Sequence, residues 1–492
     1  RKKVSHMKKV IAWILTALML LSALPALAEE PVTIKVSAMV ANNPLDDRGL
    51  VQDELNRLLA EKGYNFKIEL VCIDWPSYAT QISLMLADGS IDLFNMFGAM
   101  SIPAAADNEA VANMDELIQE YGQGILDTMG PYMDTTTYNG SIYGAPAGKT
   151  ISNKNCFIYN AEVARQAGFV AENVHDYESF TEELKKVKAT FPDMTVISTG
   201  VGGMYFYPTM DTLGNNNYYA CIILDENAEP KIVNYYETEY YKKDLAFGRT
   251  WAENGFFKKD AINGQDAPYA PVGDGVAFGV FAGGPTAAIC QELNQPMFTF
   301  ELGCVSGETD AWATTSNATG GIWCIAELSD HKVEAMQFLN LLYVDKEIID
   351  VVCNGIEGVH YMVTEEGNIT YANDQLNSMT VGWPVGSLAT YWPNLFPSYP
   401  VAPMKADAYQ KWADSNENCK KSPAFGFAFD STEVSDQIAA CNNVCDKYLA
   451  SLMLDIGDTD ALLDAFLQDL KNAGVDDIIA EKQAQLDAWL AK

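Results

Sequence analysis

One stretch limits what this chain can fold into more than any other: residues 33–96. Positions 33–40 are rich in β-branched residues and read as a strand. Positions 50–61 place Leu55, Leu58 and Leu59 on one side of a helix. Positions 65–71 alternate apolar and polar, as a second strand does. Positions 75–87 read as a second helix, closed by Asp88 and Gly89, and 91–96 as a short buried strand. Strands and helices alternating at this spacing predict a parallel sheet with helices on both faces. Ligands of such sheets sit beyond the carboxyl ends of the strands.

A second alternating pattern follows. Residues 157–159 read as a strand, and 161–166 and 177–189 as helices. Residues 194–230 are rich in Gly, Tyr, Asn and Pro and read as loops, while 235–254 is helical in pattern and 256–266 loop-like. Residues 276–281 form a core strand that Gly283, Gly284 and Pro285 stop. Helices are expected at 332–343 and 346–352, and a helical tail at 434–454, 460–472 and 480–490. With 492 residues, 48% of them apolar, the chain is long enough for two large lobes.

Residues 1–28 read as a secretory signal peptide. Arg1, Lys2, Lys3, Lys8 and Lys9 give a basic start, positions 10–24 are apolar, and Ala26-Leu27-Ala28 ends the segment. Met7 is the expected start. No later stretch is apolar for long enough to cross a bilayer. Removing the segment takes away five of the 32 basic residues and none of the 66 acidic ones, which moves the net charge from -34 to -39. No basic stripe remains, so nucleic acid is excluded as a partner.

The catalytic motifs of serine hydrolases, phosphate-binding loops and zinc proteases are absent from the sequence. Glu357 and His360 are read as parts of a hydrogen-bonded loop rather than as an acid and base. Asp455, Asp458 and Asp460 lack the ligand pattern and final Glu of a calcium loop. The ten cysteines are widely spaced among apolar neighbours and are expected as free thiols. No Cys/His set has metal-site spacing, so neither metal nor cofactor is expected.

Aromatic residues are more informative. Trp75, Tyr143, Tyr205, Tyr207, Trp323, Tyr361, Trp383, Tyr391 and Trp392 occur in loop-like, Gly- and Pro-rich contexts. Rings in a cleft offer flat apolar faces, which suit the C–H faces of sugars. Trp251 and Trp412 lie in amphipathic stretches and read as packing. Anchors for the charged termini of a peptide are few: Arg249, Lys149 and Asp92.

Three stretches carry a family resemblance. Residues 74–94 (D-W-P-S-Y-A-T-Q-I-S-L-M-L-A-D-G-S-I-D-L-F) resemble the W-x-x-Y helix, small-x-G-x-x-D turn and strand of extracellular solute-binding proteins of bacterial ATP-driven (ABC) importers, of the carbohydrate-binding class. Residues 138–146 (Y-N-G-S-I-Y-G-A-P), with Phe157-Ile158-Tyr159-Asn160 beyond, resemble that family's first crossing between lobes. Residues 329–343 resemble its S-x-x-K-x-x-A-x-x-F-L helix. Residues 354–361, 426–431 and 471–490 are similar to a subgroup, with members of the LipO lipoprotein type, that has a C-terminal DUF3502-type domain of unknown function. The chain departs from the pattern twice. It has no cysteine for acylation after the signal, and residues 382–396 stand where the subgroup has a G-N-Q-F-like stretch.

The resemblance implies a two-lobe, periplasmic-binding-protein-like α/β fold with a hinge, an interlobe cleft and a helical C-terminal extension. Lobe one is expected at 30–147 plus 305–355, and lobe two at 148–304 plus 356–492. The implied function is capture of a neutral oligosaccharide by hinge closure, without covalent chemistry. An exported monomer would deliver it to the permease subunits of an ABC importer. A peptide-binding importer component and a secreted glycoside hydrolase are the alternatives. Residues expected to line the cleft are Trp75 and Asp92 near strand ends, Tyr143 at the crossing, Tyr207, Trp323 after Gly320 and Gly321, and Tyr361 and Trp383 in the C-terminal part.

Overall fold

The computed structural model describes residues 31–40, 47–98, 100–198, 209–214, 218–258, 269–307, 310–386 and 389–491. The signal segment read at 1–28 lies outside them, as do Tyr205 and Tyr207.

Eleven strands build two mixed sheets: β1 Val32–Val40, β2 Phe66–Asp74, β3 Leu93–Asn95, β4 Ala145–Pro146, β5 Ser152–Asn160, β6 Thr195–Ser198, β7 Ala277–Gly284, β8 Leu302–Ser306, β9 Trp312–Ala313, β10 Ile322–Ile325 and β11 Lys420–Lys421. The first sheet has the order β2-β1-β3-β10-β4. Its first three strands are parallel, with Val36 opposite both Leu70 and Leu93. The predicted βαβαβ unit is therefore present. Strand β1 is interior and buries Ile34, Val36, Ala38 and Val40. The edge strand β2 buries Phe66, Ile68 and Leu70 while Lys67 and Glu69 face water. The helix Arg48–Glu61 buries Val51, Leu55, Leu58 and Leu59 on one side. The helix Tyr78–Asp88 buries Tyr78, Ile82 and Leu86 and stops at Gly89, whose φ of 70° is a left-handed cap.

The second sheet runs β11-β9-β5-β7-β6, with β8 also paired to β5. Strand β5 is longer than the three residues read from sequence. Within 194–230, read as loops, lie β6 and a short antiparallel pair, Thr209–Asp211 with Ile222–Leu224. These strands are too brief to show a period.

The division between lobes differs from the sequence reading for one segment. Tyr361, Ile369, Val381, Trp383, Trp392, Val401, Tyr409 and Trp412 share the core of the first sheet with Ile34, Leu55 and Phe338. Residues 361–412 thus pack on lobe one, although 356–492 was assigned to lobe two. Apart from the helix that begins at Ala408, this segment holds only three-residue strands and loops, too brief to show a period, so the sequence did not reveal which surface it covers. The C-terminal helices Ser435–Met453, Thr459–Asn472 and Val475–Leu490 share a core with Tyr219, Ile222, Tyr235 and Tyr241, on the side of the second sheet.

The chain crosses between the sheets three times: from β4 to β5, from β9 to β10, and from the helix Ala408–Asn418 to β11. Asn416 clasps the first crossing to the third. Its Oδ1 accepts from the backbone N–H of Ile151 (2.9 Å), and its Nδ2 donates to the Lys149 carbonyl (2.7 Å). Among the described residues no helix is long and apolar enough to cross a membrane.

Candidate functional site

Because β1, β2 and β3 are parallel, their carboxyl ends share one edge of the first sheet. Trp75 opens the turn after β2, and Phe97 lies two residues past β3. Their rings meet edge-on at 5.7 Å. Tyr391 completes the group, 5.3 Å from Trp75 and 5.4 Å from Phe97, again edge-on. Each ring braces the other two, and Trp75 remains 47% exposed.

One buried side chain holds two of these arms. Asn95 Nδ2 donates to the Tyr391 carbonyl (2.8 Å), and Asn95 Oδ1 accepts from the Phe97 N–H (3.0 Å). The Asn95 backbone is itself fixed. Its N–H donates to Ser37 Oγ (3.1 Å), and its carbonyl accepts from the Tyr78 hydroxyl (2.9 Å).

Opposite the rings stands the second lobe. A cavity of about 320 Å³ lies between Phe97, Thr390 and Tyr391 on one side and Ser152, Asn153, Gly283, Ser316 and Asn317 on the other. A second cavity, about 560 Å³, shares Phe97, Ser316 and Gly320 with it. The C-terminal part supplies Ala428, Phe429 and Ser431 to that second wall. No carboxylate lines either cavity among the described residues, although the chain carries 66 acidic residues. Hydroxyls, amides and rings suit a polyhydroxylated ligand. A larger groove of about 600 Å³ runs along β2 and the helix Arg48–Glu61, but no aromatic ring lines it.

Lys149 is the charged group in the smaller cavity. Burial lowers its ammonium to about 8, and no carboxylate opposes that shift. A Cβ on Gly320 would stand 3.1 Å from Lys149 Nζ, so glycine leaves the lysine its seat.

The floor of the larger cavity is braced from behind. Lys482 is fully buried and donates to the carbonyls of Thr212 (3.2 Å) and Ala220 (2.8 Å). Its ammonium also lies 4.9 Å from the centre of the Phe429 ring. Burial pushes it down to about 7 and pushes the carboxyl of buried Asp211 up.

Of the expected cleft residues, Trp75 lies at the carboxyl edge of the first sheet, where its ring touches Phe97 and Tyr391, although it lines neither cavity itself. Asp92 is not at that edge, because it precedes β3 and so lies at the opposite edge of the sheet. Its carboxylate accepts from the Lys35 N–H (2.7 Å) and the Ser329 hydroxyl (2.5 Å), which is a structural role. Tyr143 is half-buried and packs beside Phe94 and Met96. Trp323 is buried, stacks on Trp392 at 5.4 Å, and donates from Nε1 to the Tyr391 carbonyl (3.0 Å). It positions the platform instead of facing the cleft. Tyr361 and Trp383 are core residues, and Trp383 Nε1 donates to the Val352 carbonyl (3.1 Å). Tyr207 lies outside the described residues.

His360 and the aspartates also have structural roles. His360 Nδ1 accepts from the Ile356 N–H (2.8 Å), and burial lowers its pKa. Arg249 pairs with Asp455 (3.4 Å) and Asp460 (3.1 Å), while Asp458 caps the helix Thr459–Asn472.

Phe97, Ser152, Asn153, Ser316 and Phe429 were not singled out from the sequence. Phe97 had a signal, since it follows a strand read at 91–96 and so falls at a carboxyl end. Core and cleft rings are separable by experiment. Trp383→Ala should cost about 3–5 kcal/mol of stability, read by urea unfolding. Ligand affinity of the remaining folded protein should stay unchanged.

Residues 59–350 match the family model described as bacterial extracellular solute-binding protein, and residues 423–491 match DUF3502, a domain of unknown function. A carbohydrate ABC transporter substrate-binding protein of Streptococcus pneumoniae serotype 4 (strain ATCC BAA-334 / TIGR4) is 23% identical over 453 residues, covering 89% of each chain. The crystal structure of the N-glycan transport solute binding protein NgtS from Streptococcus pneumoniae superposes with a TM-score of 0.80 at 21% identity, covering 94% of this chain and 99% of that one. Its complex with Man1GlcNAc gives 0.75 at 20% identity, covering 94% and 100%. An extracellular solute-binding protein from Bifidobacterium longum subsp. infantis gives 0.64 at 15% identity, covering 94% and 99%.

Proposed function

This chain belongs to the bacterial extracellular solute-binding proteins, and from that premise we propose that it captures an oligosaccharide between its two sheets. The exported monomer closes on the ligand by hinge motion and passes it unchanged to the permease subunits of an ABC importer. The observation that carries this reading is the Trp75–Phe97–Tyr391 platform, whose Phe97 and Tyr391 rings share a cavity with a wall of hydroxyls and amides. Contiguous cavities on either side of Phe97 favour several sugar rings over one. The glycan-binding character of the relatives points the same way.

A glycosidase needs two carboxylates about 5 to 9 Å apart across its cleft, and none lines these cavities among the described residues. For a peptide, Lys149 offers an anchor for a carboxyl terminus, but the same walls offer no acid for the amino terminus. Closure removes ligand hydroxyls from water, so Ser152, Asn153, Ser316 and Asn317 are suited to replace those hydrogen bonds.

Calorimetry and thermal shift with mannose- and N-acetylglucosamine-containing oligosaccharides, their monosaccharides and short peptides test the reading. Tight binding and raised stability are expected for the oligosaccharides, with no products formed and a more compact bound form in solution scattering. Saturable peptide binding with no response to any glycan would overturn it.

A further inference from the structure

Three cysteines far apart in sequence meet at one point. Cys156 lies on β5, Cys304 on β8, and Cys290 on the helix Ala287–Asn294. In the antiparallel pair β5 and β8, Cys304 stands opposite Ile158 and Ser306 opposite Cys156. Residues directly opposite share a face and alternate residues along a strand do too, so Cys156 and Cys304 project on the same side. On the other flank of β5 the neighbour of Cys156 is Ala282, whose small side chain leaves room. The helix brings Cys290 down onto that face. Gly284 permits the approach, since a Cβ there would lie 2.6 Å from Cys290 Cβ. All three Sγ atoms lie within 4.8 Å of one another.

We infer that this trio is a binding site for one soft monovalent cation, Cu(I), held by three sulfurs. The donors are all sulfur, which selects soft metals. With metal–sulfur bonds of about 2.3 Å, a planar three-coordinate site has sulfurs about 4.0 Å apart, so small inward shifts of the thiols suffice. Zinc takes a fourth ligand, and among the described residues no His, Asp or Glu joins the cluster. Cys156 and Cys290 are buried among Ile158, Val280, Phe298 and Leu302 and Cys304 is half-buried beside them, so apolar side chains cover most of the trio. Two groups suit the negative charge that thiolates bring. Asn294 Nδ2 donates to Cys290 Sγ (3.7 Å), and Lys154 lies two residues before Cys156 on the same face of β5. Binding forms copper–sulfur bonds, releases thiol protons to solvent, and changes no oxidation state. The sequence spacing of these cysteines resembles no metal motif because strand register and helix packing assemble the site.

The test uses the full chain, reduced and kept free of oxygen, titrated with Cu(I) buffered by bicinchoninate. One Cu(I) per chain is expected, with three sulfur neighbours by X-ray absorption of the unaltered protein. The combined variant Cys156→Ser, Cys290→Ser, Cys304→Ser should lose roughly 100-fold or more in Cu(I) affinity, while Cys441→Ser keeps it. Failure to take Cu(I) from bicinchoninate, equal retention by the triple variant, or a sulfur count other than three would each overturn the inference. A parallel titration with Zn(II) that fills the trio when Cu(I) does not would overturn the assignment to copper. The X-ray absorption result stands whether or not the triple variant folds.

Discussion

Trp75→Ala should weaken oligosaccharide binding by about 5- to 150-fold and leave thermal stability nearly unchanged. The range corresponds to about 1–3 kcal/mol for a stacked ring, by analogy with aromatic side chains on nucleic-acid bases. Stability should hold because the indole is already 47% exposed, so its removal leaves no enclosed void. Trp75→Phe should retain most of the affinity, since a flat face and the contacts to Phe97 and Tyr391 survive. Tyr391→Ala should cost a similar amount. The double variant should lose less than the two single losses combined, because touching rings share one function. Calorimetry on variants with unchanged circular dichroism measures all four. An affinity unchanged in both alanine single variants would remove the platform from the site.

Lys482→Met should be the most damaging conservative change in the C-terminal segment. Methionine keeps much of the volume and loses the donors. The carbonyls of Thr212 and Ala220 then lose a buried partner, at about 1–3 kcal/mol each. Burial holds the Lys482 amine down to about 7 in the fold, against about 10.4 in the unfolded chain. Between those values the unfolded chain binds more protons, so the native protein gains stability as pH rises through this window. The variant lacks that gain. Its deficit should be smallest near pH 6 and widest towards pH 10, read by urea unfolding across that range. A pH-independent deficit would mean that the lysine is not held neutral by burial.

The first lobe was legible in the sequence because its signals are local. The strand at 66–74 and the two helices between 32 and 95 show their own periods, the strand at 93–95 reads as a short buried run, and the order of elements alone implies parallel pairing. The rule that ligands lie past carboxyl ends then selects Trp75, and it selects Phe97 equally. Asp92 was misplaced because a family motif marks that it matters without saying at which end of β3 it lies. The strand Leu93–Asn95, roughly 10 Å long at the usual rise per residue, stands between it and Phe97. Trp323 and Trp383 misled for a different reason. Gly- and Pro-rich surroundings suggest exposure, but each indole N–H finds a backbone carbonyl inside the core. Such pairing depends on segments distant in sequence. The same holds for residues 361–412, whose apolar side chains fill a surface already shaped by the first sheet.

The three crossings have a consequence for how the molecule is made. In the first sheet β3 lacks one neighbour until β10, at Ile322–Ile325, has been synthesised. The core of that lobe lacks Trp383 and Trp412 until later still. The second lobe waits for β11 and for the helices that end at Leu490. Domains usually fold as units, amino-terminal first, while the ribosome is still at work. Here neither lobe can complete itself that way, since each needs chain from the last quarter of the sequence. The nascent protein therefore lacks part of each core for most of its synthesis. The topology that ties the two sheets together thus also sets the timing of folding, placing completion of both lobes near the end of synthesis.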